Sequence, residues 1–78
     1  MGALSLRRMT KNQTGKIVFI TAHGELARRI RDMGLVPGTT ITVKGRAPLK
    51  DPVAVQVMGG TLTLRNNEAD FISVETEE

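Results

Sequence analysis

The stretch Glu25 to Pro48, ELARRIRDMGLVPGTTITVKGRAP, reads as a short helix, a rigid turn and the strand that the turn launches. Leu26, Ala27, Ile30 and Met33 recur at helical spacing and form one apolar stripe. Glu25, Arg28, Arg29, Arg31 and Asp32 fall on the other side. Glu25 precedes Arg29 by four residues and Arg28 precedes Asp32 by four, so two ion pairs are expected along the helix surface. Gly34 follows where a helix commonly ends on a left-handed residue. Pro37-Gly38 suits a type II turn, because proline presets φ at the first central position and glycine accepts φ > 0 at the second. From Thr39 the period becomes two. Ile41 and Val43 point one way, and Thr40, Thr42 and Lys44 the other.

Working outward, Gly15-Lys16 opens a strand at Ile17–Thr21. The unbroken run Ile17-Val18-Phe19-Ile20 suits a strand covered on both faces or one carrying a bulge, with Phe19 in the core. Before it, Leu4, Leu6 and Met9 form an apolar entry segment, and Thr10 to Thr14 a turn. Gly45 marks a bulge or bend, and the two prolines between Arg46 and Pro52 make that span a loop. Val53, Val55 and Val57 alternate with Ala54, Gln56 and Met58 in a half-buried strand. Gly59-Gly60 is a two-residue hairpin signal, and Leu62 and Leu64 face inward on the return strand. Asn66–Asp70 reads as one helical turn capped by Asn66 or Asn67. Ile72 and Val74 make a short last strand with Phe71 exposed, and the 75–78 tail is expected to be disordered. Five short strands joined by tight turns predict a mainly β, closed or nearly closed barrel, with one helix between the first two strands.

The chain has 78 residues and a mass of 8.5 kDa, which makes residues 1–78 one small domain. A chain this short buries only about 60% of its unfolded surface, so its core is thin. It has no cysteine, which removes disulfides, thiol nucleophiles and thiolate metal sites. No apolar run reaches the roughly 18 residues of a membrane span, and the N-terminus has no signal-peptide core. A cytoplasmic location is therefore expected. The net charge is +3, with 10 of the 11 Lys and Arg in the first fifty residues and six of the eight acids after them. Such a division permits an acidic partner, either nucleic acid or a protein loop, if folding keeps the basic residues together.

Gly15-Lys16-Ile17 and Ile20, Leu26 to Gly38 with its Met-Gly-Leu-Val-Pro-Gly end, Ala47-Pro48-Leu49-Lys50-Asp51-Pro52-Val53, and Leu62-Thr63-Leu64-Arg65 with Glu68-Ala69, Ile72 and Val74 form a combination of motifs at fixed spacing. In these residues the chain resembles the FeoA family, small proteins tied to bacterial ferrous iron transport. The resemblance runs from about Leu6 to Val74. Where the family often has Pro-Gly this chain has Lys11-Asn12, and asparagine tolerates the same left-handed turn. The resemblance implies an SH3-like β-barrel. It also implies a partner, the cytoplasmic GTPase-bearing region of the ferrous iron transporter.

The chemistry-bearing residues exclude more than they assign. The only histidine is His23, with no carboxylate placed by sequence to orient it, so a nucleophile–base pair is not expected and the protein is not an enzyme. There is no Walker A stretch and no GxGxxG. A non-haem Fe(II) site typically takes two histidines and a carboxylate, which one histidine cannot supply, so neither a metal site nor a cofactor is expected. Arg7, Arg8, Lys11, Lys16, Arg28, Arg29 and Arg31 suit phosphate contacts, which leaves a nucleic-acid-binding barrel as the alternative function. A protein-docking face is expected on the basic side of the helix and the following loop, using Arg28, Arg29, Arg31, Leu35, Lys44, Arg46 and Leu49. Leu35 has a second reading, as the residue that packs back on the helix end.

Overall fold

The computed structural model describes residues 3–46 and 52–76. Six antiparallel strands form one sheet in the order β1-β6-β2-β3-β4-β5. They are β1 (Ala3–Ser5), β2 (Thr14–Ile20), β3 (Thr40–Arg46), β4 (Val53–Val57), β5 (Gly60–Leu64) and β6 (Ile72–Thr76). A helix, α1 (Gly24–Asp32), joins β2 to β3, and one helical turn, α2 (Asn66–Ala69), joins β5 to β6. A 3₁₀ turn at Leu6–Arg8 follows β1. The expected barrel with an inserted helix is therefore present with six strands, not five, and the helix lies between the second and third.

The extra strand is β1, which pairs with β6 through Leu4 opposite Val74 and Ser5 opposite Ser73. Three residues carry no readable alternation, and the partner lies at the other end of the chain, so this strand exists only once the termini meet. The same pairing corrects the tail. Glu75 and Thr76 complete β6, opposite Lys16 and Gly15 of β2, because β6 is a central strand whose neighbours supply hydrogen bonds on both sides.

The core comprises Leu6, Met9, Ile17, Ile30, Leu35, Ile41, Val43, Val53, Val55, Leu64, Ala69, Ile72 and Val74, all essentially inaccessible to solvent. The alternations in β3, β4 and β6 place their inward residues as read. Gly45 does mark an irregularity, since the β3–β4 register shifts between Val43 and Gly45. Asn12 takes the left-handed conformation at φ 71° in a turn closed by Gln13 N–H donating to Thr10 O at 3.0 Å.

Two turn readings need correction. The β4–β5 hairpin turns on Met58-Gly59, not Gly59-Gly60, because Val57 pairs with Gly60. Gly59 alone supplies the positive φ within the loop, at 102°. The α2 turn is capped at Arg65, not at Asn66 or Asn67. Glu68 makes this work from the other side: its carboxylate accepts the Arg65 backbone N–H at 3.0 Å, which satisfies an otherwise orphaned donor at the helix start.

The topology offsets part of the charge division along the sequence. The late acidic residues fold against early basic ones: Asp70 pairs with Arg7 at 3.0 Å, Glu68 with Arg29 at 3.0 Å, and Glu75 stands opposite Lys16 in the ladder.

Candidate functional site

The candidate surface begins with a bulge in β2. Ile17 pairs with Val74 and Ile20 with Ile72, so both point inward, but the register shifts between Ile17 and Phe19. One extra residue on the bulged strand reverses the side-chain parity. Phe19 is consequently turned outward opposite Ser73 and is 49% exposed. The core position expected for it is wrong. The uninterrupted Ile-Val-Phe-Ile run held the only hint, because such a run is compatible with a bulge but does not say which ring it ejects.

Beside Phe19 lies the end of α1. Met33 closes the helix, and Gly34 adopts φ 88°. The Gly34 N–H donates to Arg31 O at 2.9 Å and the Leu35 N–H to Ile30 O at 3.2 Å, the paired bonds of a Schellman end. Leu35 and Ile30 are both fully buried, as that motif's apolar contact requires. Leu35 is thus a helix-end anchor whose buried side chain can back a docking surface from beneath but not project from it, which corrects its place in the docking set. The chain then turns through Pro37-Gly38. Thr39 N–H donates to Val36 O at 3.0 Å, Gly38 has φ 98°, and Gly38 N–H donates to Ile17 O at 2.7 Å. These bonds tie the loop to β2 and leave Val36 and Pro37 in solvent.

Together these elements enclose an open cleft of about 350 Å3, lined by Phe19, Ala22, Ala27, Val36 and Pro37 over a floor of Ile20 and Leu35. Arg31 is the one charged side chain in its lining among the described residues. The sequence marked Arg31 and Leu35 for this surface and missed Phe19.

The basic residues divide by what they touch. Arg28 and Arg31 are exposed on α1 and make no ion pair among the described residues. The two pairs expected along the helix do not form. Arg29 instead reaches Glu68, whose side chain is only 5% exposed, because an unsolvated carboxylate binds a cation more strongly than the solvated Glu25 does. Lys44 is exposed on the outer side of β3, away from the cleft lining. Arg46 is half-buried, and its Nη2 donates to the carbonyls of Arg7, Met9 (2.7 Å) and Leu6 (3.4 Å). It holds the end of the 3₁₀ turn and is engaged within the chain, which corrects its assignment to docking. Leu49 lies outside the described residues. His23 is exposed at the position before α1, where its side chain makes no capping bond. Among the described residues no three His, Cys, Asp or Glu side chains stand together as metal ligands, and no helix is long and apolar enough to cross a membrane.

The FeoA domain family matches residues 4–76 of this chain. The chain belongs to the FeoA domain family. One relative is the Fe(2+) transport protein A/Fe(2+) transporter FeoB fusion protein of Porphyromonas gingivalis, 41% identical over 71 residues. That match covers 87% of this chain and 8% of the fusion protein, so the chain spans a small part of that relative's length. The NMR structure of a FeoA-like protein from Clostridium acetobutylicum superposes with a TM-score of 0.92 at 35% identity, covering 100% of this chain and 91% of that one. The zinc complex of Stenotrophomonas maltophilia FeoA, described as an SH3 domain protein, matches with a TM-score of 0.80 at 25% identity, covering 92% and 89%. The SH3-like barrel implied by the residues is therefore the fold of this FeoA domain.

Proposed function

We propose that this FeoA domain is a non-enzymatic, cytoplasmic accessory of ferrous iron transport that docks on the cytoplasmic, GTPase-bearing part of the transporter. The observation that carries this reading is the Porphyromonas gingivalis relative, in which a segment 41% identical to this chain is one polypeptide with a FeoB transporter. Covalent linkage of two modules gives them a high effective concentration for each other, and the same contact made between separate chains is the economical alternative. Iron itself is the transporter's cargo in this reading, and the FeoA domain acts by contact.

The docking face is the exposed side of α1, with Arg28 and Arg31 as its free cations. Lys44, Arg29 and Arg46 stand outside this set, the last two because they hold Glu68 and the 3₁₀ turn. Isothermal titration of the full chain against the purified cytoplasmic domain of its host's ferrous iron transporter tests the proposal. R28E/R31E is expected to weaken binding about tenfold or more, with the steeper salt dependence of the wild type lost. Absence of binding by the wild-type chain overturns the reading. The nucleic-acid alternative is disfavoured by the pairing of acidic and basic residues across the fold, and a low-salt gel shift with single-stranded oligonucleotides checks it directly.

A further inference from the structure

The cleft beside Phe19 has a construction that the docking of charged residues alone does not explain. A chain of this length has little apolar material for its core, yet the β2 bulge ejects one of its two aromatic rings into solvent. Bulges that re-aim a side chain in this way recur beside functional sites. Val36 is exposed on the facing loop, so two large apolar groups flank one depression. The floor is tied to the surrounding elements by backbone hydrogen bonds. Leu35 is fixed by the Schellman end of α1, and the Gly38 N–H to Ile17 O bond pins the opposite wall to β2. A preformed apolar depression requires little reordering when it is filled.

We infer that this cleft is an anchor pocket for a large apolar side chain carried on an acidic segment of the partner protein. The inference deepens the docking reading above and rests on it. Volume and charge choose the occupant. About 350 Å3 lies at the low end of the roughly 300–1,000 Å3 range of small-ligand sites, room for one or two apolar side chains. Arg31 is the charged group in the lining, with no carboxylate bound to it among the described residues. An entering carboxylate beside the apolar anchor would satisfy it. A central apolar anchor with a guanidinium at the rim is the arrangement in which binding energy concentrates.

Two measurements test this, both with the full chain. The first is a 15N-detected NMR titration with the acetylated, amidated peptide Glu-Glu-Leu-Leu-Glu-Phe-Leu-Glu, run beside versions with alanine for every apolar residue and lysine for every glutamate. Shift changes are expected at residues 19–22, 27–31 and 35–37 with the first peptide only, and are expected to vanish in F19S and V36D. Changes centred elsewhere, or equal changes with the lysine or alanine peptide, overturn the inference, as does the absence of localised change at millimolar peptide. The second is the transporter-domain titration with F19S and V36D, both substitutions at exposed positions whose folding is verified by circular dichroism. About tenfold weaker binding supports the anchor pocket. Unchanged affinity in these variants, with R28E/R31E still defective, removes the pocket and leaves the docking face standing. Loss of all wild-type binding removes the docking reading, and the peptide titration then decides the cleft by itself.

Discussion

Arg46 separates two readings of one residue, and replacing it decides between them. In R46M the aliphatic stem stays and the guanidinium goes. The structure gives Nη2 three carbonyl neighbours, on Leu6, Arg7 and Met9, but a nitrogen with two hydrogens serves two of them well. The Leu6 carbonyl at 3.4 Å already accepts the Met9 N–H at 3.1 Å, so the bonds to Arg7 and Met9 carry the effect. A hydrogen bond from a charged donor contributes about 1.5–3 kcal/mol. Arg7 is exposed and its carbonyl can turn to water, which discounts one of the two. The expected loss is about 2–3 kcal/mol, against a total stability of about 4–12 kcal/mol for a domain of this length. At about 4–8 °C per kcal/mol, the melting temperature should fall by about 8–24 °C. R46K should recover little, because the lysine ammonium ends one bond short of the position that Nη2 occupies. Urea and thermal melts followed by circular dichroism provide the measurement. A melting temperature within a degree or two of wild type, with transporter binding lost, would refute the structural role and restore Arg46 to the docking face.

Gly15 packs so closely on β6 that an added Cβ would stand 2.5 Å from Val74 Cγ1 and 2.8 Å from the Glu75 carbonyl oxygen; G15A should cost about 2–3 kcal/mol in urea melts, and an unchanged midpoint would show that β2 and β6 can separate freely. Arg29 and Glu68 should couple by about 1–2 kcal/mol in a double-mutant cycle of R29A and E68Q, above the value for exposed pairs because the carboxylate is buried, and below the value for fully buried pairs because the guanidinium is not. A coupling near zero would place Arg29 back among the free cations of α1.

Much of the fold was legible in local spacing. The helix stripe, Gly34, the Pro37-Gly38 turn and the alternations of β3, β4 and β6 each follow from constraints within a few residues. Proline and glycine limit φ, and side-chain parity follows the period of the element. The candidate surface was legible only in part. Arg28 and Arg31 could be placed on the outer side of α1 because helical spacing alone settles it. The roles of Arg29 and Arg46 could not, because their partners lie 39 residues away at Glu68 and 37 at Met9.

What the sequence by itself determined was every strand but β1, the helix, the barrel class and the family, through motifs whose spacing is local. Tertiary structure alone decided three things. Pairing of the chain ends made β1 a strand and ordered Glu75 and Thr76. The packing of Asp70, Glu68 and Glu75 against Arg7, Arg29 and Lys16 offset part of the charge division along the chain. The β2 bulge put Phe19 in solvent. The common reason is that each depends on which distant backbone lies alongside: register against β6 decides whether position 19 faces the core or the solvent, and one extra residue in that ladder reverses the answer.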